Sequence, residues 1–283
     1  MPPASPQAQR RIDLGGVQVD LLRIGTFRSD AGTIFGPVPR TTWEPLVSGE
    51  LDGRARLLQA LNLLHIRTPG QSLLLEAGML AAGTVASDEG VDALPAYEGL
   101  AAAGLDPAAI DVVVPSHLHR DHAGGLVDGA GAAAFPRATI VAPGREIEAV
   151  ASDSLRARAA YDTGVLRALF AAHPPRAYER TNAPDPLVEL RLLAGHTPGS
   201  QATIVRGRER TLLFAGDLFM RPWQANPRWV TAYDDEAWAS VDAKAGIFAE
   251  AARGEWLVAL SHEIEAPLGR LVAEGEHFRF VAE

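Results

Sequence analysis

Short apolar runs bounded by Gly, Pro and Asp recur along the chain, and longer Ala-rich stretches separate them. The short runs read as strands and the Ala-rich stretches as helices, which predicts an α/β (α+β) fold in two halves. Residues 11–25 predict a hairpin turning at Gly15-Gly16, and residues 59–68 and 71–77 predict paired strands around Pro69-Gly70. Asp111-Val-Val-Val-Pro115 reads as a short buried strand. Further strands are expected near 187–193, 202–206 and 211–215, and residues 269–273 and 277–282 form a closing hairpin. Helices are expected over 91–104, 143–151 and 154–172. The clearest helix follows Asp234 and Asp235, either of which can cap it. Trp238, Val241, Ala245, Phe248 and Ala252 make its apolar stripe, and Gly254 ends it. Residues 26–56 predict an irregular stretch, and a loop that long is ordinarily functional or mobile. Residues 1–10, polar and Pro-rich, read as a disordered tail ahead of one domain over 11–283.

Against this pattern one segment stands apart: Ser-His-Leu-His-Arg-Asp-His-Ala-Gly-Gly over residues 116–125. Packing gives no reason to crowd three imidazoles and a carboxylate into six positions. Neutral imidazole nitrogens and carboxylate oxygens are what a divalent first-row ion binds. His117 and His119, two apart in an extended run, point the same way and can share one ion. Asp121 and His122 follow the turn and can face a second ion, with Gly124-Gly125 keeping that turn tight. Farther on, His196 lies in Gly-His-Thr-Pro-Gly-Ser, Asp217 in Phe-Ala-Gly-Asp-Leu-Phe and His262 in Leu-Ser-His-Glu. Each follows a strand-like run, as a site on one rim of a sheet requires. A lone His beside an apolar strand is ordinarily structural, so His65, His173 and His277 are read as non-ligands.

The ordered motifs HxHxDH, GHTPG, GD and SH resemble those of the metallo-β-lactamase-fold hydrolases. The resemblance spans at least residues 60–265 and implies a four-layer αββα sandwich. It implies that His117, His119 and His196 hold one metal. Asp121, His122 and His262 would hold a second, and Asp217 would bridge the two. Two divalent ions follow, most simply zinc, with manganese, iron or cobalt also suited to nitrogen and oxygen donors. Cations so paired share a bridging water and ionise it near neutral pH, which supplies hydroxide for attack on carbonyl carbon or phosphorus. Asp121 or Asp217, as the catalytic carboxylates, could then pass a proton to the leaving group. His119 stands where flavo-diiron oxygen reductases carry Glu, so the chain looks hydrolytic. Asp217 stands where several metallo-β-lactamases place Cys.

Flanking segments, among them Asp30 to Trp43 and Asn226-Pro-Arg-Trp-Val230, are similar to a branch containing quorum-quenching acyl-homoserine-lactone lactonases and methyl parathion hydrolase. That branch implies lactone or ester hydrolysis, with organophosphate triester or aryl ester hydrolysis as the alternative. A mononuclear iron enzyme of sulfur or oxygen chemistry on the same fold is the reading from another class. Met220 departs from the Tyr that some lactonases carry three residues after the bridging Asp, and Ser200 departs from a His common in relatives. Glu76 stands where relatives often have Asp; it either supports a ligand or is a turn residue. Arg120 is expected to point away toward solvent or a carboxylate. Phe35, Trp43, Phe219, Met220 and Trp223 are the candidates for a substrate pocket, or else pack the core or a homodimer contact.

Composition narrows the partners to a small-molecule substrate. The net charge of −9 disfavours nucleic acid, whose phosphates need Lys and Arg. No apolar run is long enough for a bilayer, which argues against a membrane partner. The chain has no cysteine, so thiolate ligands are excluded; this and the absence of an apolar signal core fit a cytoplasmic protein.

Overall fold

The computed structural model describes residues 8–80 and 90–283. The first sheet takes β1 (Ala8–Asp13), β2 (Gln18–Asp30), β3 (Arg56–Arg67), β4 (Ser72–Leu75), β5 (Asp92–Ala93), β6 (Val112–Val114), β7 (Thr139–Pro143) and β8 (Arg176–Tyr178). Its order is β1-β2-β3-β4-β6-β7-β8, with β5 paired to β2. The strands are antiparallel from β1 to β4 and parallel from β4 onward. The second sheet takes β9 (Thr181–Asp185), β10 (Val188–Leu192), β11 (Gln201–Arg206), β12 (Thr211–Phe214), β13 (Leu257–Ala259), β14 (Leu268–Glu274) and β15 (His277–Ala282), in reverse chain order across the sheet. The described α-helices are α1 (Ala31–Phe35), α2 (Arg40–Val47), α3 (Ala96–Ala102), α4 (Arg120–Ala123), α5 (Gly144–Ala151), α6 (Leu155–Ala160), α7 (Thr163–Ala172) and α8 (Ala237–Arg253).

Strand alternation explains how the layers stack. Val19 and Leu21, Leu64 and Ile66, and Leu73 and Leu75 meet Leu212, Phe214, Leu257 and Ala259 in a core between the sheets. Their alternates Leu22, Ile24, Leu63, Leu74 and Val113 face the other way, onto Leu100 of α3, Val150 of α5 and Leu166 of α7. On the far side Leu213 and Val258 meet Ile247 and Phe248 of α8. Period-two patterning on both faces of both sheets thus yields the expected αββα sandwich. No helix among the described residues is long and apolar enough to cross a membrane.

Three expectations need correction. First, β1 begins at Ala8, inside the segment read as a tail; residues 1–7 lie outside those described. Second, the stretch 26–56 is largely ordered structure: β2 runs on to Asp30, which caps α1 by accepting from the Thr33 amide at 2.9 Å. Trp43 of α2 then stacks on Phe35 with ring centroids 4.8 Å apart. Third, of the expected α8 stripe only Phe248 is fully inside. Ser240, Lys244, Ile247, Phe248 and Ala251 are inside, while Trp238 is 89% exposed. The backbone at Gly195 comes so close that a Cβ there would lie 2.5 Å from the Ser240 amide, so a small residue must face it. Lys244 is admitted because its ammonium donates to the Trp229 carbonyl at 2.6 Å.

The buried face makes a direct test. Phe248→Ala should cost about 3–5 kcal/mol in urea denaturation, and Trp238→Ala should stay within about 0.5 kcal/mol of the parent. Equal losses would restore the expected stripe.

Candidate metal centre

β4 and β6 run parallel, as do β12 and β13, so their C-terminal ends open on one rim. The chain leaves β4 at Glu76, β6 toward His117 and His119, β12 toward Asp217 and β13 toward His262. His196 enters from the loop after β10. All seven candidate ligands converge. His117, His119 and His196 form one group of donor atoms, and Asp121, His122, Asp217 and His262 form another, each within 4.8 Å.

Asp217 joins the two groups. Its Oδ1 lies 3.2 Å from His122 Nε2 and 3.0 Å from His262 Nε2, while its Oδ2 lies 3.7 Å from His196 Nε2. Asp121 Oδ2 stands 3.4 Å from His122 Nε2 and 3.6 Å from His262 Nε2. Burial alone would raise the Asp217 carboxyl, but His122 and His262 overcome it and hold the group well below its usual range. Asp121, likewise opposed by burial and favoured by His122, falls to about 2. Burial drives His117 and His119 down, His119 to about 3, with the neighbouring imidazoles adding to the effect. Burial also opposes charge on His122, yet Asp217, Asp121 and Glu76 raise it well above its usual value.

The outer nitrogens explain the ring orientations. His262 Nδ1 donates to the Ala60 carbonyl at 2.7 Å, which fixes its tautomer because a carbonyl can only accept. His196 Nδ1 meets Asp234 Oδ1 at 2.9 Å, His122 Nδ1 meets Glu76 Oε1 at 3.2 Å, and His117 Nδ1 meets Ser116 Oγ at 3.0 Å. The Nε2 atoms of His117, His122, His196 and His262 are buried without a hydrogen-bond partner. Aimed, buried and unpaired imidazole nitrogens beside two carboxylates are the donor set a divalent cation fits.

The supporting residues were only partly foreseen. Glu76 does more than turn the chain: it sits at φ +67° in the left-handed region, and its Oε2 accepts from the Ser116 amide at 3.0 Å. Gly216, at φ +52°, packs so close that a Cβ would lie 2.2 Å from Ser116 Oγ. The reason for Gly124-Gly125 is also proximity rather than backbone freedom, since a Cβ on Gly125 would meet the Ala77 carbonyl at 2.0 Å. Glu146 of α5, missed in the sequence, is fully buried and ties the loops together. It accepts from the Leu118 amide at 2.8 Å, the Thr197 hydroxyl at 2.7 Å and the Gly199 amide at 3.1 Å. Asp234, read as a helix cap, serves His196 instead and accepts from Thr231 Oγ1 at 2.7 Å, while Asp235 pairs with Arg156 at 2.8 Å. Glu236 occupies the cap position with no side-chain bond. Burial lowers the nearby Lys244 to about 8, with Asp234 acting against that shift.

A cleft of about 320 Å³ opens over the rim, with His119, Asp121, His196, Asp217 and His262 in its floor. Met220 lines it, but the other four pocket candidates do not. Phe35, Trp43 and Trp223 pack together in a cluster of their own that also includes Met220. Phe219 points to the opposite side, 4.7 Å from the ring of Phe248. The walls come instead from Phe27, Ile34, Met79 and Tyr233, and Arg120 lines the cleft rather than turning away.

The profile of the metallo-beta-lactamase superfamily matches residues 62–260, and the chain belongs to that superfamily. No curated protein matches it. Among solved structures it is similar to a probable metal-dependent hydrolase from Staphylococcus aureus, at 24% identity and TM-score 0.85 over 96% of this chain and 99% of that one. It is also similar to AidC, a dizinc quorum-quenching lactonase in complex with a product, at 19% identity and TM-score 0.82 over 99% and 98%. A third, the hydrolase AbOPH, aligns at 19% identity and TM-score 0.83 over 99% and 98%. Superfamily membership and the assembled donor set together support a hydrolase.

Asp234 gives the sharpest test of the outer contacts. Asp234→Asn should leave the fold intact and weaken metal affinity about 10–100-fold, as loss of a charged partner to a ligating His does elsewhere. Competition against a chromogenic chelator measures it, and unchanged affinity would remove Asp234 from the site.

Proposed function

We propose that the chain is a dinuclear metal-dependent hydrolase that opens lactones or cleaves related carboxylic esters. The observation that carries this reading is the Asp217 carboxylate, which turns one oxygen to His122 and His262 and the other toward His196. His117, His119 and His196 would hold one divalent ion, Asp121, His122 and His262 the other, with Asp217 between them. Ions bound there would supply Lewis-acid activation of the substrate and ionise water near neutral pH.

The chain's own residues do the rest. Asp121, whose side chain is 18% exposed, faces the cleft, so its carboxylate could take up a proton and release it to a leaving alkoxide. The hydrogen bonds to Ala60 and Asp234, and the Glu76 carboxylate 3.2 Å from His122 Nδ1, keep the imidazoles from rotating, so the reacting groups start in place. Phe27, Ile34, Met79 and Met220 give the cleft apolar walls that exclude water from the acyl part. The similarity to a dizinc lactonase supports the choice of lactones, although Met220 leaves a thioether where some lactonases carry a phenol.

Metal-loaded protein should turn over members of a panel of acyl-homoserine lactones, aliphatic lactones and p-nitrophenyl esters. Turnover confined to paraoxon-type triesters would move the reading to phosphotriesters, and stoichiometric iron without hydrolysis would move it to sulfur or oxygen chemistry. Losing an outer partner of a ligand costs 10–100-fold, so Asp217→Asn, which alters a direct donor, should cut turnover at least about 100-fold. Wild-type rates in a folded Asp217→Asn protein would end the bridging role.

A further inference from the structure

Four arginines line the cleft. Arg28 comes from β2, Arg54 from the turn before β3, Arg56 from β3 and Arg120 from α4. Outside the donor set they outnumber the carboxylates beside them, Asp30 and Asp52, in a chain whose net charge is −9. None of the four is without a partner. Asp52 bonds Arg56 at 2.8 Å and stands 3.8 Å from Arg28, while Asp30 is engaged in capping α1. Arg120 donates one Nη2 bond to the Ala159 carbonyl at 2.6 Å, and its buried Nε has no hydrogen-bond partner. The remaining lining is apolar or belongs to the donor set, apart from Ser29, Gln59 and Tyr233.

Volume adds a second constraint. About 320 Å³ is at the small end of ligand pockets, so a long acyl chain would have to leave past these arginines. Guanidiniums bind carboxylate and phosphate oxygens through paired N–H donors, and such charge-assisted bonds are about twice as strong as neutral ones. From these features we infer that the cleft selects compact lactones or esters that carry an anionic group beside the scissile ester. The inference rests on the hydrolase reading and specifies its substrate class. The basic mouth draws the anion in, the arginines fix its orientation, and the ester carbonyl is left toward the floor.

A matched substrate pair decides it: γ-valerolactone, and the same ring with a carboxylate in place of the methyl. With metal-loaded enzyme the carboxylate lactone should show kcat/KM at least about tenfold higher, mainly through KM, and the advantage should shrink as salt rises. Arg54→Gln, in an exposed turn, should cut that ratio several-fold, and Arg28→Gln should act the same way. Equal or better turnover of γ-valerolactone would overturn the inference and leave the hydrolase reading standing. If neither lactone reacts, turnover elsewhere in the wider panel keeps the hydrolase reading and overturns the inference, and no turnover anywhere in it ends the hydrolase reading. Calorimetric titration with glutarate and butyrate then judges the arginines alone. Tighter binding of glutarate that is lost in Arg54→Gln supports them, and equal affinity overturns them.

Discussion

Two carboxylates and five imidazoles share a buried rim, and a low-dielectric interior tolerates that only where positive charge is shared among them. The rest of the structure around the rim follows from this constraint. His122 and His262, held at their outer nitrogens, turn their other nitrogens to Asp121 and Asp217, and His196 turns its own to Asp217. Glu76 accepts a left-handed backbone at φ +67° because its carboxylate is needed by both His122 and the Ser116 amide. Glu146 remains buried because three donors from two ligand loops converge on it. The strained and buried acidic residues are therefore one system, and the strands beneath supply the rigidity that holds it.

What could be read in the sequence was what is local. Alternating apolar positions in β3, β4, β12 and β13 gave both faces of each sheet, because side-chain direction in a strand depends only on the residue's parity. The ligands were legible for the same reason: each sits a residue or a few beyond an apolar run, in a motif dense enough to outweigh packing. Of the partners of those ligands only Glu76 was legible, as one of two alternatives, since most of the others come from distant segments. Ala60 serves His262 from 202 positions away, and Glu146 reaches Thr197 across 51. An acidic residue before a helix looks like a cap whether or not it is one, so Asp234 gave no sign of its bond to His196. The buried face of α8 was misjudged because it carries Ser240 and Lys244, whose burial depends on Gly195 and the Trp229 carbonyl.

The pocket was the least legible part, for a physical reason that also bears on function. Aromatic residues near a metal motif invite assignment to its walls, yet Phe35 and Trp43 are buried by stacking on each other, with Trp223 tilted against Phe35. That cluster forms a firm back to α1 and α2, which place Asp30 and Ile34 at the lip of the cleft. Several residues that line the cleft are long and charged, namely Arg28, Arg54, Arg56 and Arg120, and such side chains show no periodicity.

The chemistry and the selection of substrate thus depend on different parts of the chain. The floor lies at strand ends, where a shift of one residue would turn every ligand to the wrong face, so it resists change. The lip lies on one strand end, two short helices and the turn around Asp52, where substitutions alter charge without moving the floor. A scaffold divided this way can keep one reaction while its choice of ester changes. For that reason the arginines at the mouth say more about what this protein acts on than the seven donors beneath them, which a broad superfamily has in common.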